Sequence, residues 1–238
     1  MPEVAAGDDL GQLIANAAPP DLADSDVLVV AHKVVSKAEG RTRSLADVEA
    51  GERAREIAAS HGRDPRLVQV VLDEAAEVLR AERGVLVCAT RHGLVCANAG
   101  VDRSNAAEDE AVLLPLDPDA SARAIRARIT TARGVSPGIL VTDSFGRAWR
   151  LGQVDVALGA AGIHVLDDWR GRADVRGREL TATQISVGDA VAAAAELVRR
   201  KDSGEPVVLA RGLECYVTPE DGPGAAALRR PAAEDLFR

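Results

Sequence analysis

Aromatic side chains and net positive charge are both scarce in this sequence. Phe, Trp and Tyr together make up 2% of the 238 residues, and the formal net charge at pH 7 is -8. Few rings are therefore present to stack on bases, and the overall charge repels a polyanion. Both shortages argue against nucleic-acid binding and leave small anions as ligands that a local basic site could hold.

Long apolar runs, an export signal and paired cysteines are also missing. No run approaches the roughly 18 apolar residues that span a bilayer. The N-terminal segment MPEVAAGDDL lacks the basic start and apolar stretch of a secretion signal. Cys88, Cys96 and Cys215 form no CxxC pair, which argues against a disulfide framework or a zinc site. We therefore expect a cytoplasmic protein that contacts no membrane and carries free thiols.

The familiar phosphate-binding and hydrolytic motifs do not occur. The sequence has no GxxxxGK[ST], no GxGxxG between a strand and a helix, no HExxH and no nucleophile elbow. His32, His61, His92 and His164 show no ligand spacing and are interpreted as structural. The chain is therefore not a P-loop or Rossmann protein, and any site must combine dispersed residues.

The composition and hydrophobic pattern predict one α/β domain over 1–238, with a division into two lobes as the alternative. Hydrophobic residues make up 47% of the chain and charged residues 28%, a composition typical of a folded protein of this size. Hydrophobic periodicity predicts the elements. The helices are expected at 8–18, 64–80, near 119–133 and at 186–200; the strands at 26–35, 84–90, 93–100, 138–150, 153–166 and 206–212; and an arginine-rich loop at 167–180.

Polar side chains follow three of these strands. Asp102 and Asn105 come after one strand, and the segment SKAEGR at 36–41 follows another. Within 138–150, the apolar strand is expected to end at 142–144, with Asp143 and Ser144 at its end and a glycine turn directly after them. Carboxylate, amide and hydroxyl oxygens are the ligands that magnesium or manganese takes, and such ions commonly bind substrate phosphates as well. Plain turn formation by the same residue types is the alternative.

Basic residues near these strand ends could neutralise phosphate oxygens. Lys37 and Arg41 lie four residues apart, and Ser36 could donate a hydrogen bond. Further candidates are Arg147, Arg150, Arg170 and Arg172, for which a solvated basic loop is the alternative. The acidic run at 108–110 is interpreted as solvated charge at the start of a helix.

Four separate segments carry a resemblance to a known family. VVSKAEGR, GLVCANAGVDRSN, VTDSFGRAWRLGQVDVALGAAG and GRELTATQISVGDAVAAAAELV occur in this order and extend over most of the chain. Together they resemble the coenzyme F-420-0:L-glutamate ligases, the gamma-glutamyl ligases of deazaflavin coenzyme biosynthesis. The resemblance implies an α/β fold in an intertwined homodimer. It also implies GTP-dependent addition of L-glutamate to coenzyme F-420-0, and then of further gamma-linked glutamates, through an acyl phosphate.

The same resemblance implies roles for individual residues. Two divalent ions, Mg²⁺ or Mn²⁺, are expected, with K⁺ as a further candidate ion. Asp102 and Asp143 would hold one divalent ion and act as the catalytic pair, and Ser144 would contact the second. The residues expected to contact GTP are Pro2, Glu3, Val4, Ser36, Lys37, Arg41 and Asn105.

This sequence departs from the family pattern at three places. Its start is expected to be shortened, which would leave GTP contacts at 1–4 weak. The segment RRKDSGEP at 199–206 has no glutamine where relatives present one to the second metal, and Gln184 is too early to replace it. A C-terminal nitroreductase-like domain is expected to be absent. Two other function classes stay open: a non-catalytic module that binds GTP or a deazaflavin, and a metal-dependent phosphohydrolase.

Overall fold

A central four-stranded sheet with helices on both faces forms the largest part of the structure. The computed structural model describes residues 1–104 and 106–235. The helices are α1 (Leu10–Ala17), α2 (His32–Ala38), α3 (Glu52–His61), α4 (Pro65–Glu74), α5 (Pro118–Arg133) and α6 (Val187–Val198). The strands are β1 (Val27–Ala31), β2 (Thr42–Ser44), β3 (Ala75–Glu82), β4 (Val85–Thr90), β5 (Val95–Ala97), β6 (Glu110–Val112), β7 (Gly138–Arg147), β8 (Arg150–Ala161), β9 (Leu166–Asp168), β10 (Gln184–Ser186) and β11 (Val207–Ala210).

The strands form one mixed sheet and three small antiparallel sheets. The central sheet has the order β11-β1-β7-β8, in which β1 and β7 are parallel and the other neighbours are antiparallel. The small sheets are β3-β4-β5, β2-β6 and β9-β10. The predicted mixed α/β class is therefore confirmed. Among the described residues, no helix is both long and apolar enough to cross a bilayer.

Strand alternation divides the central core between the two faces of the sheet. Leu28 and Val30 of β1 pack on one face with α1, α2 and α5, whereas Val27 and Val29 pack on the other face with α6. This is the period of two that a strand buried on both faces requires. A third cluster of buried residues lies around α3, α4 and the sheet β3-β4-β5.

Several predicted elements are confirmed with small shifts in their ends. The helices expected at 8–18, near 119–133 and at 186–200 are α1, α5 and α6, and the last predicted strand is β11. The two strands around the RHG turn are β4 and β5, and the turn is closed by the Gly93 N–H, which donates to the Thr90 carbonyl. The segment at 167–180 is a loop apart from the end of β9.

Two predicted elements are each divided in the structure. The strand expected at 26–35 stops at Ala31, and α2 begins at the next residue because His32, Val35 and Ser36, at helical spacing, are all buried. The helix expected at 64–80 begins correctly, with the Asp64 carboxylate accepting from the Arg66 N–H at 2.8 Å. It ends at Glu74, because the following residues pair as β3 with β4, so cross-strand pairing overrides the helical periodicity.

Two interpretations of polar segments are wrong. The acidic run at 108–110 does not open a helix, although Glu108 and Asp109 are exposed to solvent as expected. Glu110 begins β6, and the cap of α5 is Asp117, which accepts from the Ala120 N–H. The strand expected to end at 142–144 with a glycine turn continues to Arg147. Asp143 and Ser144 consequently lie inside a β-hairpin, where pairing with β8 holds their side chains in place.

Candidate functional site

Asp102 is held after β5 by a tight turn and a short stretch of backbone pairing. The turn needs Gly100, whose φ is 75° and where a Cβ atom would lie 2.5 Å from Cγ of Leu114. Two residues later, the Asp102 N–H donates to the Val112 carbonyl at 3.0 Å, and the Val112 N–H donates back at 2.8 Å. The carboxylate is thereby fixed at a defined position instead of on a mobile loop.

Lys33 and Ser104 both contact the Asp102 carboxylate. Lys33 Nζ lies 2.6 Å from Oδ2, and the Ser104 N–H and hydroxyl donate at 2.8 and 2.7 Å. Burial acts to raise the pKa of Asp102, but the hydrogen bonds from Lys33 and Ser104 and the charge of Lys33 lower it more. The pKa therefore lies below its ordinary value, and the carboxylate, whose side chain is 43% exposed, is ionised at neutral pH.

Asp143 lies inside β7 and faces the start of α2. Its Oδ1 atom is 3.3 Å from Nε2 of His32, a contact without hydrogen-bond alignment. Burial acts to raise the pKa of Asp143, but attraction to His32, the Ser144 N–H and the charge of Lys33 together lower it below its ordinary value. Its side chain is 18% exposed, so an ionised carboxylate is kept in a largely buried position.

The beginning of α2 connects the two aspartates. His32 contacts Asp143, and the next residue, Lys33, contacts Asp102 while its charge also acts on Asp143. The two carboxylates that the sequence predicts to act together are therefore contacted by adjacent residues of one helix. Sequence analysis missed Lys33, because the segment carrying it was predicted to be a strand, and interpreted His32 as structural, because the histidines show no ligand spacing.

Ser144 does not face the same side as Asp143. Successive residues of a strand point to opposite faces of the sheet, and the Ser144 hydroxyl donates to Oδ1 of Asp155 on β8 at 2.5 Å. Oε1 of Glu196 on α6 lies 3.4 Å from the same hydroxyl. Ser144 therefore belongs to a separate polar cluster under α6.

Asp155 is the buried centre of that cluster. Its carboxylate accepts from Thr142 at 3.2 Å and forms a very short contact with Arg199, and its backbone N–H donates to Glu196 at 2.9 Å. The Asp155 side chain is 2% exposed. Sequence analysis missed this residue, although the register that places it opposite Ser144 follows from pairing the two strands of the hairpin.

The residues predicted to contact GTP lie in different surroundings. Glu3 and Lys37 approach within 3.7 Å, so the N-terminal segment does meet α2. Val4 is buried in the core, and Ser36 is fully buried with its hydroxyl 3.3 Å from Nδ1 of His32. Pro2 is exposed, and Asn105 lies outside the described residues.

Arg41 has its contacts satisfied within the chain. Its Nη2 atom lies 2.6 Å from Oε2 of Glu74, and its Nε donates to the Leu114 carbonyl at 3.0 Å. In this arrangement it joins the segment after α2 to α4, and its charge is paired with that of Glu74. Its predicted contact with GTP stays a prediction.

The four arginines proposed as phosphate contacts are also engaged locally or exposed. Arg170 pairs with Asp168 at 2.5 Å, and Arg172 lies 3.6 Å from Asp167 and 5.0 Å from the ring of Trp169. The two others are near the tip of the β7–β8 hairpin, where Arg147 donates to the Leu151 carbonyl at 2.9 Å and Arg150 is exposed.

Asp102 and Asp143, which contact the first two residues of α2, offer the oxygen atoms and negative charge that a divalent ion takes. Within the described ranges, no three His, Cys, Asp or Glu side chains form a group that could hold a metal ion. Asp102 and Asp143 together carry two negative charges, and within ion-pair distance Asp143 has only His32 among the described residues. Magnesium is commonly bound in this way, by one or two carboxylates with waters and phosphates.

Comparison with known proteins identifies the class to which this arrangement belongs. Residues 1–212 match the model of the F420-0:Gamma-glutamyl ligase family, and the chain belongs to that family. The resemblance inferred from four sequence segments is thereby confirmed.

Three relatives match the chain along nearly its whole length. A protein of Methanopyrus kandleri is 46% identical over 238 residues, covering 99% of this chain and 94% of the relative. One of Methanothermobacter thermautotrophicus is 42% identical, with coverages of 100% and 96%, and one of Haloarcula marismortui is 44% identical, with coverages of 100% and 93%. Each of the three is named coenzyme F420:L-glutamate ligase.

Proposed function

We propose that the protein is a GTP-dependent ligase that adds L-glutamate to coenzyme F420-0 and then extends the product with gamma-linked glutamates. The observation that carries this proposal is the identity of 42–46% to relatives with this ligase name, along almost the full length of each chain. The two aspartates around α2 supply the charge that phosphate chemistry needs. A homodimer in the cytoplasm, and K⁺ as a further ion, belong to the proposal.

The reaction needs an activated carboxylate, because a free carboxylate is a poor acyl donor. A terminal carboxylate oxygen of the precursor attacks the γ-phosphorus of GTP, and the bond from that phosphorus to the bridging oxygen breaks, releasing GDP. The glutamate amine then attacks the acyl carbon, inorganic phosphate leaves, and the nitrogen gives up a proton. The enzyme mainly has to position these anions and compensate their charge.

The chain's own residues supply that positioning. A Mg²⁺ or Mn²⁺ ion held by Asp102 and Asp143 would neutralise phosphate oxygens. Lys33, whose ammonium group contacts Asp102, would bring a positive charge next to the phosphate oxygens bound there. His32 is held by Ser36 on one side and faces Asp143 on the other, which keeps that carboxylate oriented.

Mass spectrometry of a complete reaction tests the proposal. The protein is incubated with coenzyme F420-0, GTP, L-glutamate and Mn²⁺, and the expected result is glutamylated product with GDP released in equal amount. ATP in place of GTP tests the nucleotide. Asp102→Asn should remove most product, whereas Asp202→Asn, which changes an exposed carboxylate paired with Arg200, should not.

Two results would replace the proposal by another function. GDP release that glutamate does not increase would indicate a phosphohydrolase. Binding of GTP without any glutamylated product would indicate a non-catalytic binding module.

A further inference from the structure

The ammonium group of Lys201 lies close to the side-chain oxygens of Ser144, Asp155 and Glu196 in the polar cluster under α6. It contacts the Ser144 hydroxyl in a very short hydrogen bond and lies 3.1 Å from Oε1 of Glu196 and 3.9 Å from Oδ1 of Asp155. An ammonium group has three donors and accepts nothing. Hydroxyl and carboxylate oxygens around one point are also the surroundings that a hard metal ion takes, so ammonium and metal ion compete for this position.

The fixed charges of the cluster already balance. Asp155 and Glu196 contribute two negative charges, and Arg199 and Lys201 contribute two positive ones, all within one set of contacts. Arg199 cannot leave easily, because its side chain is 10% exposed and also donates to Thr142 at 2.8 Å. A divalent ion added beside Lys201 would leave a partly buried excess of two positive charges, and an ion that displaced the Lys201 ammonium would still leave an excess of one; both are unfavourable.

On the opposite face of the sheet, the side-chain charges do not cancel. Asp102 and Asp143 contribute two negative charges, and Lys33 is the one lysine or arginine within ion-pair distance of them among residues 1–104 and 106–235. One negative charge is left to attract an ion. The residues on the Ser144 face therefore do not fit a second metal ion, whereas those around α2 fit the first.

We infer that the Lys201 ammonium group takes the place of a second divalent ion at Ser144, so that each chain holds one divalent ion, on the Asp102–Asp143 side. This inference rests on the proposed function in taking those two aspartates as the metal site. It gives Lys201 the role of a positioning residue, which holds the Ser144 hydroxyl and Glu196 in one arrangement without a metal.

Titration of the full-length protein with Mn²⁺, followed by electron paramagnetic resonance of the free ion, tests the inference. The wild-type protein is expected to bind one Mn²⁺ per chain, and Lys201→Ala is expected to bind two. Lys201→Arg keeps the positive charge and should stay at one. Arg200→Ala is the matched control, because Arg200 is 77% exposed and pairs with Asp202, and it should also stay at one.

Two Mn²⁺ ions per wild-type chain, or a Lys201→Ala protein that still binds one, would overturn the inference. The same preparations assayed for glutamylated product keep the two proposals apart. Expected stoichiometries without any product would count against the ligase function alone, whereas product from a wild-type protein holding two ions would count against the role of Lys201 alone.

Discussion

Removing Arg199 should destabilise the protein strongly, because it leaves the buried Asp155 carboxylate without its main cation. Arg199→Met keeps most of the side-chain volume but removes the contacts to Asp155 and Thr142. Breaking a buried ion pair from one side costs about 3–5 kcal/mol. Asp155 keeps hydroxyl partners in Thr142 and Ser144, so we expect the lower end, about 3 kcal/mol. For a chain of this length, that corresponds to a fall in Tm of roughly 6–12 °C.

Thermal and urea unfolding followed by circular dichroism measure this loss. Arg200→Met is the control, since its exposed pair with Asp202 should contribute less than about 0.5 kcal/mol. A double-mutant cycle of Arg199→Met with Asp155→Asn should give a coupling free energy above about 1 kcal/mol, because the two side chains are in direct contact. Arg199→Met within 1 kcal/mol of the wild type, or independent effects in the cycle, would refute the buried pair as the centre of this cluster.

Three further predictions concern the site, the thiols and the hairpin. Asp102→Asn and Asp143→Asn should each reduce ligase turnover by about 100-fold or more while the protein stays folded, because a neutral amide compensates less of a metal ion's charge. Retained activity in both would contradict the assignment. A thiol reagent at pH 8 should modify Cys215 alone in the folded protein and all three cysteines in denaturant, because Cys88 and Cys96 are buried. Burial also raises the pKa of Cys96 to about 12, which keeps that thiol protonated. Mass spectrometry of the labelled protein measures which cysteines react. Gly159→Ala should destabilise the protein by about 1–3 kcal/mol, because the added Cβ atom would lie 2.1 Å from the carbonyl oxygen of Pro118 in α5. Urea unfolding measures the loss, and an unchanged midpoint would contradict this close packing.

Local signals in the sequence were sufficient for the start of α4, where Asp64 and Pro65 form the cap and first turn. The same kind of signal at Asp117 and Pro118 begins α5, but sequence analysis interpreted the acidic run at 108–110 as the helix start instead. The same signals say nothing about where α4 ends, because apolar residues continue at helical spacing into β3, at Ala75, Val78 and Leu79. Pairing with β4, which is a contact between segments, determined that end.

Some residues of the candidate site could likewise be predicted from nearby sequence, whereas others depend on contacts between distant segments. Asp102 and Asp143 were predicted because carboxylates after apolar strands are visible in a linear sequence. His32 and Lys33 were missed because the break between β1 and α2 depends on the packing of Val35 into the core. Asp155, Glu196 and Arg199 could be found only from the strand register and from the position of α6 over the sheet.

The alternation along β7 has a consequence for how this protein can vary in length. Inserting or deleting one residue between Leu140 and Asp143 would exchange the faces on which the aspartate and the serine lie, and so would send each to the other's partners. Changes in length should therefore be excluded from that part of the hairpin and accepted at its exposed tip, around Ala148, where no buried side chain depends on the register. A library of single-residue insertions scanned along 138–161 would map this boundary residue by residue.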